Sequence, residues 1–284
     1  MAAIVTVPDE ALRAIEFTTI EKLFEEIYGT VGDMLLVHGV SDQQYAEIEK
    51  TRSERRRRFR IRRFSTATKT LIITIPTALH EALHLDLWNK IVTTGIFQMG
   101  LIESWSLMGG KTVRATQNPD GDSDSGEGDS TGGPYPERHY LGAWPTLVIE
   151  AGYSQTLLEL RNDIRWWFGT LDHKVKIVLL VKFDQSARSI IIEKYIEAPA
   201  RIRPGATTTR AAARLEPTCA QVITITENQN PGNPMSYYVT RGALRLEFDL
   251  LFLRQPRQGE GEGDIVISIQ QLQQYAERIW GLVI

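Results

Sequence analysis

Glu150 has the setting in this sequence that most demands a chemical explanation. It ends the apolar run Trp144-Pro-Thr-Leu-Val-Ile and stands directly before Ala151-Gly-Tyr-Ser-Gln155. A carboxylate at the end of a buried strand is costly unless a partner compensates its charge. A divalent cation is one such partner, since Mg²⁺ takes one or two carboxylates plus water. An arginine is the other, and Arg161 and Arg165 lie on the segment that follows. In the first case Glu150 serves a reaction; in the second it serves the fold.

Three further constellations could do chemistry. His80-Glu81-Ala82-Leu83-His84 has the HExxH spacing, which on a helix sets two imidazoles on one face for zinc with the glutamate as base. A catalytic zinc needs a third protein ligand, and no second helix offers one at the usual distance. Arg55–Arg63 holds seven arginines, interrupted by Phe59 and Ile61. Such a run can neutralise a phosphate backbone, with Arg56, Arg58, Arg60 and Arg62 as the expected contacts, or it can be a solvated face. It also reads as a nuclear-localisation cluster. Trp166 and Trp167 could stack on bases, but on a helix packed against a sheet they belong to the core.

These groups need elements to hold them. Ile20, Leu23, Phe24 and Ile27 recur at helical spacing within Thr18–Tyr28. Ser41, with Gln44 three residues on, starts a second helix that runs into the arginines. Thr70–Ile75 is β-branched and ends at Pro76, as a buried strand would, and Ala78–Gly95 is a helix. Thr146–Ile149 is a strand, Thr156–Phe168 a helix, and Lys176–Phe183 an apolar run typical of a strand covered on both faces. Ser189–Ile196, Gln221–Thr226 and Leu244–Leu253 add strand signal, and Ile267–Ile279 closes the chain as an amphipathic helix. Asn118–Gly133 and Gln255–Gly263 are loops. The first of these, NPDGDSDSGEGDSTGG, has no aliphatic or aromatic residue, so most of it should be mobile, residues 118–126 above all. Strand, helix and strand in this order make an α/β (or α+β) fold, a central mixed β-sheet flanked by helices.

The strings PTLVIEAGYSQTLLELRNDIRWWF (Pro145–Phe168), KIVLLVKF (Lys176–Phe183) and SIIIEKY (Ser189–Tyr195) resemble a large fungal protein family, itself similar to bacterial endonucleases of the PD-(D/E)XK superfamily. The resemblance is close over 144–195 and extends over 70–195. It implies a restriction-endonuclease-like core: a helix, three antiparallel strands, a second helix and one more strand. The superfamily's acids lie on the second and third strands, and a lysine usually follows two residues after the second acid. Glu150 matches that second acid. Asp129 is favoured for the first, among Asp120, Asp122, Asp124 and Glu127 in the same loop. The lysine position holds Gly152, so Gln155, Arg161 or Arg165 would have to supply the missing polar group or cation. Glu81 would belong to the first core helix and reach toward the metal.

The chemistry so implied is phosphodiester hydrolysis, in which Mg²⁺ or Mn²⁺ activates water and stabilises phosphoryl charge. Asp129 and Glu150, with Glu81, would hold the ion. An arginine would clamp phosphate but makes a poor general base. The expected arrangement is an N-terminal helical and basic extension (1–64), the core (65–198), and a β-rich C-terminal elaboration with a closing helix (199–284). Composition excludes little. A net charge of −3 gives no global signal for nucleic acid, so any such surface is local. One cysteine, Cys219, excludes an intramolecular disulfide and a cysteine-based zinc cluster. No run approaches a membrane span, and the N-terminus is too short and too weakly apolar for a signal peptide, so the expectation is an intracellular protein of nucleus or cytoplasm. Nucleic acid is the expected partner, with a homodimer allowed. A non-enzymatic scaffold on the same fold is the alternative, and a zinc peptidase through His80 and His84 the second.

Overall fold

The computed structural model of the protein describes residues 13–55, 59–109, 112–114, 124–169, 173–199, 215–228 and 236–283. The chain begins with β1 (Ala14–Glu16), α1 (Ile20–Gly29), β2 (Met34–His38), α2 (Asp42–Glu54), β3 (Arg60–Ser65), β4 (Thr70–Thr74) and α3 (Ala78–Ile91). It continues through β5 (Trp105–Leu107), β6 (Val113–Arg114), β7 (Ser125–Gly126), β8 (Ser130–Pro134), β9 (Leu147–Gly152), α4 (Leu157–Gly169), β10 (Ile177–Asp184) and β11 (Ser189–Pro199). It ends with β12 (Leu215–Glu227), β13 (Tyr237–Thr240), β14 (Leu244–Leu246), α5 (Phe248–Phe252), β15 (Ile265–Ile267) and α6 (Ile269–Trp280).

Two sheets carry the architecture. The first has the order β1-β2-β4-β3-β7-β6, the second β13-β12-β11-β10-β9-β8-β5. In the second, β9 pairs antiparallel with β8 and parallel with β10, Val148 lying opposite Val178. A parallel pair needs a crossover, and α4 supplies it. The order α3, then β5-β8-β9, then α4 and β10 is the core that the resemblance implies. The protein is a mixed α+β molecule with large mixed sheets flanked by helices. Among the described residues, no helix is long and apolar enough to cross a membrane.

The helices start where the sequence signals them. Ser41 and Gln44 form a capping box on α2, Ser268 and Gln271 another on α6, and Thr77 caps α3 by accepting from the His80 amide. The apolar stripe of α1 buries Leu23, Phe24 and Ile27 against Val37, Leu71 and Ile73 of the first sheet. α3 and α6 pack on the second sheet through Leu83, Leu87, Leu272 and Ile279. β10 is buried from Ile177 to Val181, as its unbroken apolar run requires.

Several expectations need correction. Leu244–Leu253 is not one strand: β14 stops at Leu246 and α5 follows. The helix predicted over 78–95 stays α-helical to Ile91 and finishes as a π-helical turn, Val92–Ile96.

The largest correction is the acidic segment. Residues 118–123 lie outside the described ones, but Ser125–Gly126 and Ser130–Pro134 are buried strands. Glycine makes this possible. A Cβ on Gly126 would sit 2.7 Å from the Trp166 ring, and one on Gly132 would sit 2.6 Å from Trp88. One on Gly128 would meet Thr131 at 2.7 Å and Val148 at 3.0 Å. The segment lacks large side chains of its own because those of its neighbours fill the space above it.

Candidate functional site

The two sheets meet across a layer of charged side chains. Glu150 lies on β9, and Asp129 stands just before β8, whose Ser130 lies opposite Ile149. The two acids expected to work together therefore belong to neighbouring strands. Both are buried, Glu150 fully and Asp129 to 4% exposure. From the first sheet come Asp33, at the entrance to β2, and Arg60 and Arg62 of β3. From α3 come His80, Glu81 and His84, and from α4 Asp163 and Trp167.

Arg62 sits at the centre. Its Nε donates to Asp163 at 2.8 Å and its Nη1 to Gln155 at 2.9 Å. Nη1 also lies 3.4 Å from the Ala151 carbonyl, and Nη2 lies 3.3 Å from Glu150 Oε2. The buried position has a local cause. The β3–β4 pairing shifts register between Ile61 and Arg63, leaving Arg62 as the extra residue of a bulge. A bulge re-aims the side chain it carries. The alternation that would have put Arg58, Arg60 and Arg62 on one exposed basic face is thereby broken.

Asp129 is equally engaged. Its Oδ2 accepts from the Ala151 amide at 2.8 Å, while Oδ1 accepts from Arg60 at 3.3 Å and lies 3.1 Å from His80 Nε2. The other ring nitrogen of His80 meets Asp33 Oδ2 at 3.0 Å. Asp33 also accepts from the amides of Tyr153 and Ser154, at 3.0 and 3.2 Å, so it ties the first sheet to the turn after Glu150. Glu81 accepts from Arg60 at 3.0 Å. His84 Nε2 lies between Arg60 Nη1 at 3.2 Å and Glu81 Oε1 at 3.3 Å, and its Nδ1 meets Ser130 Oγ at 2.8 Å.

The protonation states follow from these neighbours. Burial opposes charge on His80, but Asp129 and Asp33 outweigh it and push its pKa up to about 10. Burial likewise opposes ionisation of Asp129, yet His80 and Arg62 hold it well below the usual carboxylate range. Glu150 goes the other way. Burial, reinforced by Asp129 and Asp163 and only partly countered by Arg62, raises it to about 8. Five carboxyls (Asp33, Glu81, Asp129, Glu150 and Asp163) face four cations (Arg60, Arg62, Arg63 and His80). A proton kept on Glu150 balances the layer.

A divalent ion does not fit this arrangement. Both oxygens of Asp129 are taken, and Glu150 Oε1 accepts from Trp167 Nε1 at 2.6 Å. Glu150 Oε2 alone lacks a hydrogen bond, and the Arg62 guanidinium already faces it. Zinc fares no better on the helix. His80, Glu81 and His84 do place ligand atoms within 4.8 Å of one another. Zinc, however, requires neutral imidazoles, and both nitrogens of His80 are held by carboxylates.

The remaining expected site residues fall in different places. Gln155 is buried and holds Arg62. Arg161 points away from Glu150 and pairs with Glu193 of β11, and Arg165 is exposed beside Phe168 and His173. Neither reaches the acids, because successive turns of α4 send Asp163 and Trp167 inward and the two arginines outward. Glu127 is a buried clamp on Arg52, at 2.7 and 3.0 Å, and on the Ile61 amide at 3.1 Å. Arg56 and Arg58 lie outside the described residues. Trp166 and Trp167 are core residues packed on each other and on Trp144. Sequence reasoning missed Asp33, Asp163 and the inward turn of Arg62. The lone acid before the apolar run of β2 and the acid in an apolar helix face were the available signals.

No protein-family model matches the chain. No curated protein matches its sequence either. Among solved structures, it is similar to a protein assigned as a nuclease of the family DUF820 from Anabaena variabilis, at 15% identity, with a TM-score of 0.29, over 50% of this chain and 79% of that one.

Proposed function

We propose that this chain is a catalytically degenerate protein of the PD-(D/E)XK kind, which binds nucleic acid without hydrolysing it. The observation that carries the reading is the Arg62 guanidinium, 3.3 Å from Glu150 and 2.8 Å from Asp163, where a nuclease of this kind would need a hydrated metal ion and water. Phosphodiester hydrolysis needs an activated water and exposed positive charge at the phosphoryl oxygens. Here the acids are sealed and their charge is compensated from within. Gly152 leaves the superfamily's lysine position without a side chain.

Nucleic acid binding then falls to the basic run at the end of α2. Arg55 is exposed there, and Arg56, Arg57 and Arg58 follow in sequence. A helix C-terminus favours such cations, and each phosphate contact adds salt-dependent affinity. The test incubates the protein with single- and double-stranded DNA and RNA in Mg²⁺ or Mn²⁺ and measures both cleavage and binding. The expected result is salt-sensitive binding without cleavage, weakened by a double change of Arg56 and Arg58 to glutamate. Metal-dependent cleavage that disappears in Glu150→Ala would overturn the degenerate reading. Absence of binding would leave the scaffold alternative.

A further inference from the structure

We infer that the open edge of the second sheet, strand β5, is an interface between two copies of this chain, in which Leu107 pairs with the partner's Leu107. β5 ends the sheet order, and its ladder to β8 joins the Tyr135 amide to the Ser104 carbonyl and the Met108 amide to the Thr131 carbonyl. An antiparallel ladder uses alternate residues, so Ser106 also faces β8, opposite Gly133, while Trp105 and Leu107 turn their backbone groups outward. The Trp105 amide is used inside the fold, on the Ile102 carbonyl. Leu107 keeps a donor and an acceptor side by side, and among the described residues neither has a partner. A two-fold axis through this residue makes both bonds at once, each Leu107 donating to the other.

The side chains around the edge are apolar on both faces of the sheet. Leu107 follows Trp105 on the face covered by Trp88 and Phe252, yet is itself 68% exposed. On the other face the β8–β9 connection folds back, His139 meeting Ser106 at 3.3 Å. That connection carries Tyr135, Tyr140 and Leu141, the last 97% exposed. With Ile102 ahead of β5, these side chains offer roughly 550 Å² of exposed apolar surface. Each partner of a standard interface buries about 800 Å², and the strand backbone with Ser104, Ser106 and His139 supplies the remainder. Exposed charge on residues 101–109 and 135–142 is limited to Glu103 and Glu137. Open edges are commonly guarded by charge or proline, and β5 has neither.

A second copy is the occupant that fits. Among the other described edges, β1 carries Glu16 and β6 carries Arg114. On β13 the Tyr237 carbonyl already accepts from Gln273 of α6. Pairing β5 with a different edge would also repeat without closing, whereas β5 on β5 closes into a dimer.

Sedimentation equilibrium of the full-length protein at micromolar concentrations tests this, with circular dichroism melts to check folding. Wild type is compared with Leu107→Glu, Leu107→Pro, Leu141→Glu and Leu158→Glu. The wild type is expected at twice the chain mass. Leu107→Glu sets two carboxylates at the axis, Leu107→Pro removes the donated amide, and Leu141→Glu charges the apolar rim. Each should raise the dissociation constant by about tenfold or more. Leu158→Glu, at an exposed leucine of α4, should leave it unchanged. A monomeric wild type overturns the inference, even if β5 then takes up a foreign strand. A dimer that survives Leu107→Glu and Leu141→Glu overturns it as well, because the contact then lies elsewhere. Should the Leu107 variants fail to fold, Leu141→Glu decides alone, since its exposed side chain packs on nothing the fold needs.

Discussion

The Arg62 guanidinium meets the Glu150 carboxyl at 3.3 Å, and both side chains are almost wholly hidden from water. One comes from a bulged strand of the first sheet and the other from β9 of the second. The contact therefore fastens the two sheets together as well as compensating charge. Attraction between buried charges offsets their desolvation only when the geometry is good and the remaining donors are used. Arg62 meets this condition in part: Asp163 and Gln155 take its Nε and Nη1, while Nη2 makes only the ion-pair contact with Glu150.

Arg62→Ala should therefore lower stability by roughly 3–5 kcal/mol, because it takes a cation from buried Asp163 in a dry layer. Arg62→Lys should recover only part of this, since a single ammonium cannot serve oxygens arranged around a planar fork. Urea titration of the two variants in EDTA checks both. A loss below about 1 kcal/mol for alanine, the scale of a surface pair, would mean that water reaches the layer.

Stability should fall as pH rises through the alkaline range. His80 is raised from 6.5 to about 10 on folding, so its contribution is complete below pH 6.5 and lost as pH climbs through 10. Glu150, raised from 4.5 to about 8, holds a proton in the folded state that the unfolded chain releases, so it bends the curve downward between those values. Melting temperatures of wild type and His80→Gln should differ most below pH 6.5 and converge towards pH 10. A constant gap across that range would show that His80 is not charged in the fold.

The glycines of the acidic segment should be intolerant. Gly132→Ala forces a methyl to 2.6 Å from Trp88 and 2.8 Å from Trp105, and Gly126→Ala forces one to 2.7 Å from Trp166. Each should cost about 1–3 kcal/mol by overpacking. Gly263→Ala, which meets nothing within 4 Å, serves as the control and should change stability by less than about 0.5 kcal/mol. Equal melting curves for all three would disprove the packed segment.

Purified protein should carry no stoichiometric zinc, and His84→Ala should leave its metal content unchanged. The reason is the pair of carboxylates that hold His80 at 3.0 and 3.1 Å. Elemental analysis decides the matter. Zinc present in wild type and absent from His84→Ala would restore the peptidase alternative.

What the sequence determined by itself is local. The apolar run before Glu150, the helical spacing of 156–168 and the continuous apolar run of 176–183 specify a strand, a helix and a strand. The capping boxes at Ser41 and Ser268 are likewise set by residues three apart, which meet in any helix begun there. That Glu150 would be buried followed from its neighbours alone. Which cation it would meet did not. Arg161 and Arg165 are near in sequence but leave α4 on other faces, whereas Arg62 arrives from a different sheet because a one-residue bulge turns it inward. The packing of Asp124–Gly133 was hidden for the same reason: the rings that cover Gly126 and Gly132 come from Trp166 and Trp88. Periodicity records which face of an element is apolar. Only the tertiary fold chooses what is laid against that face, and in this protein that choice sets an arginine where the acids alone would have suggested a metal ion.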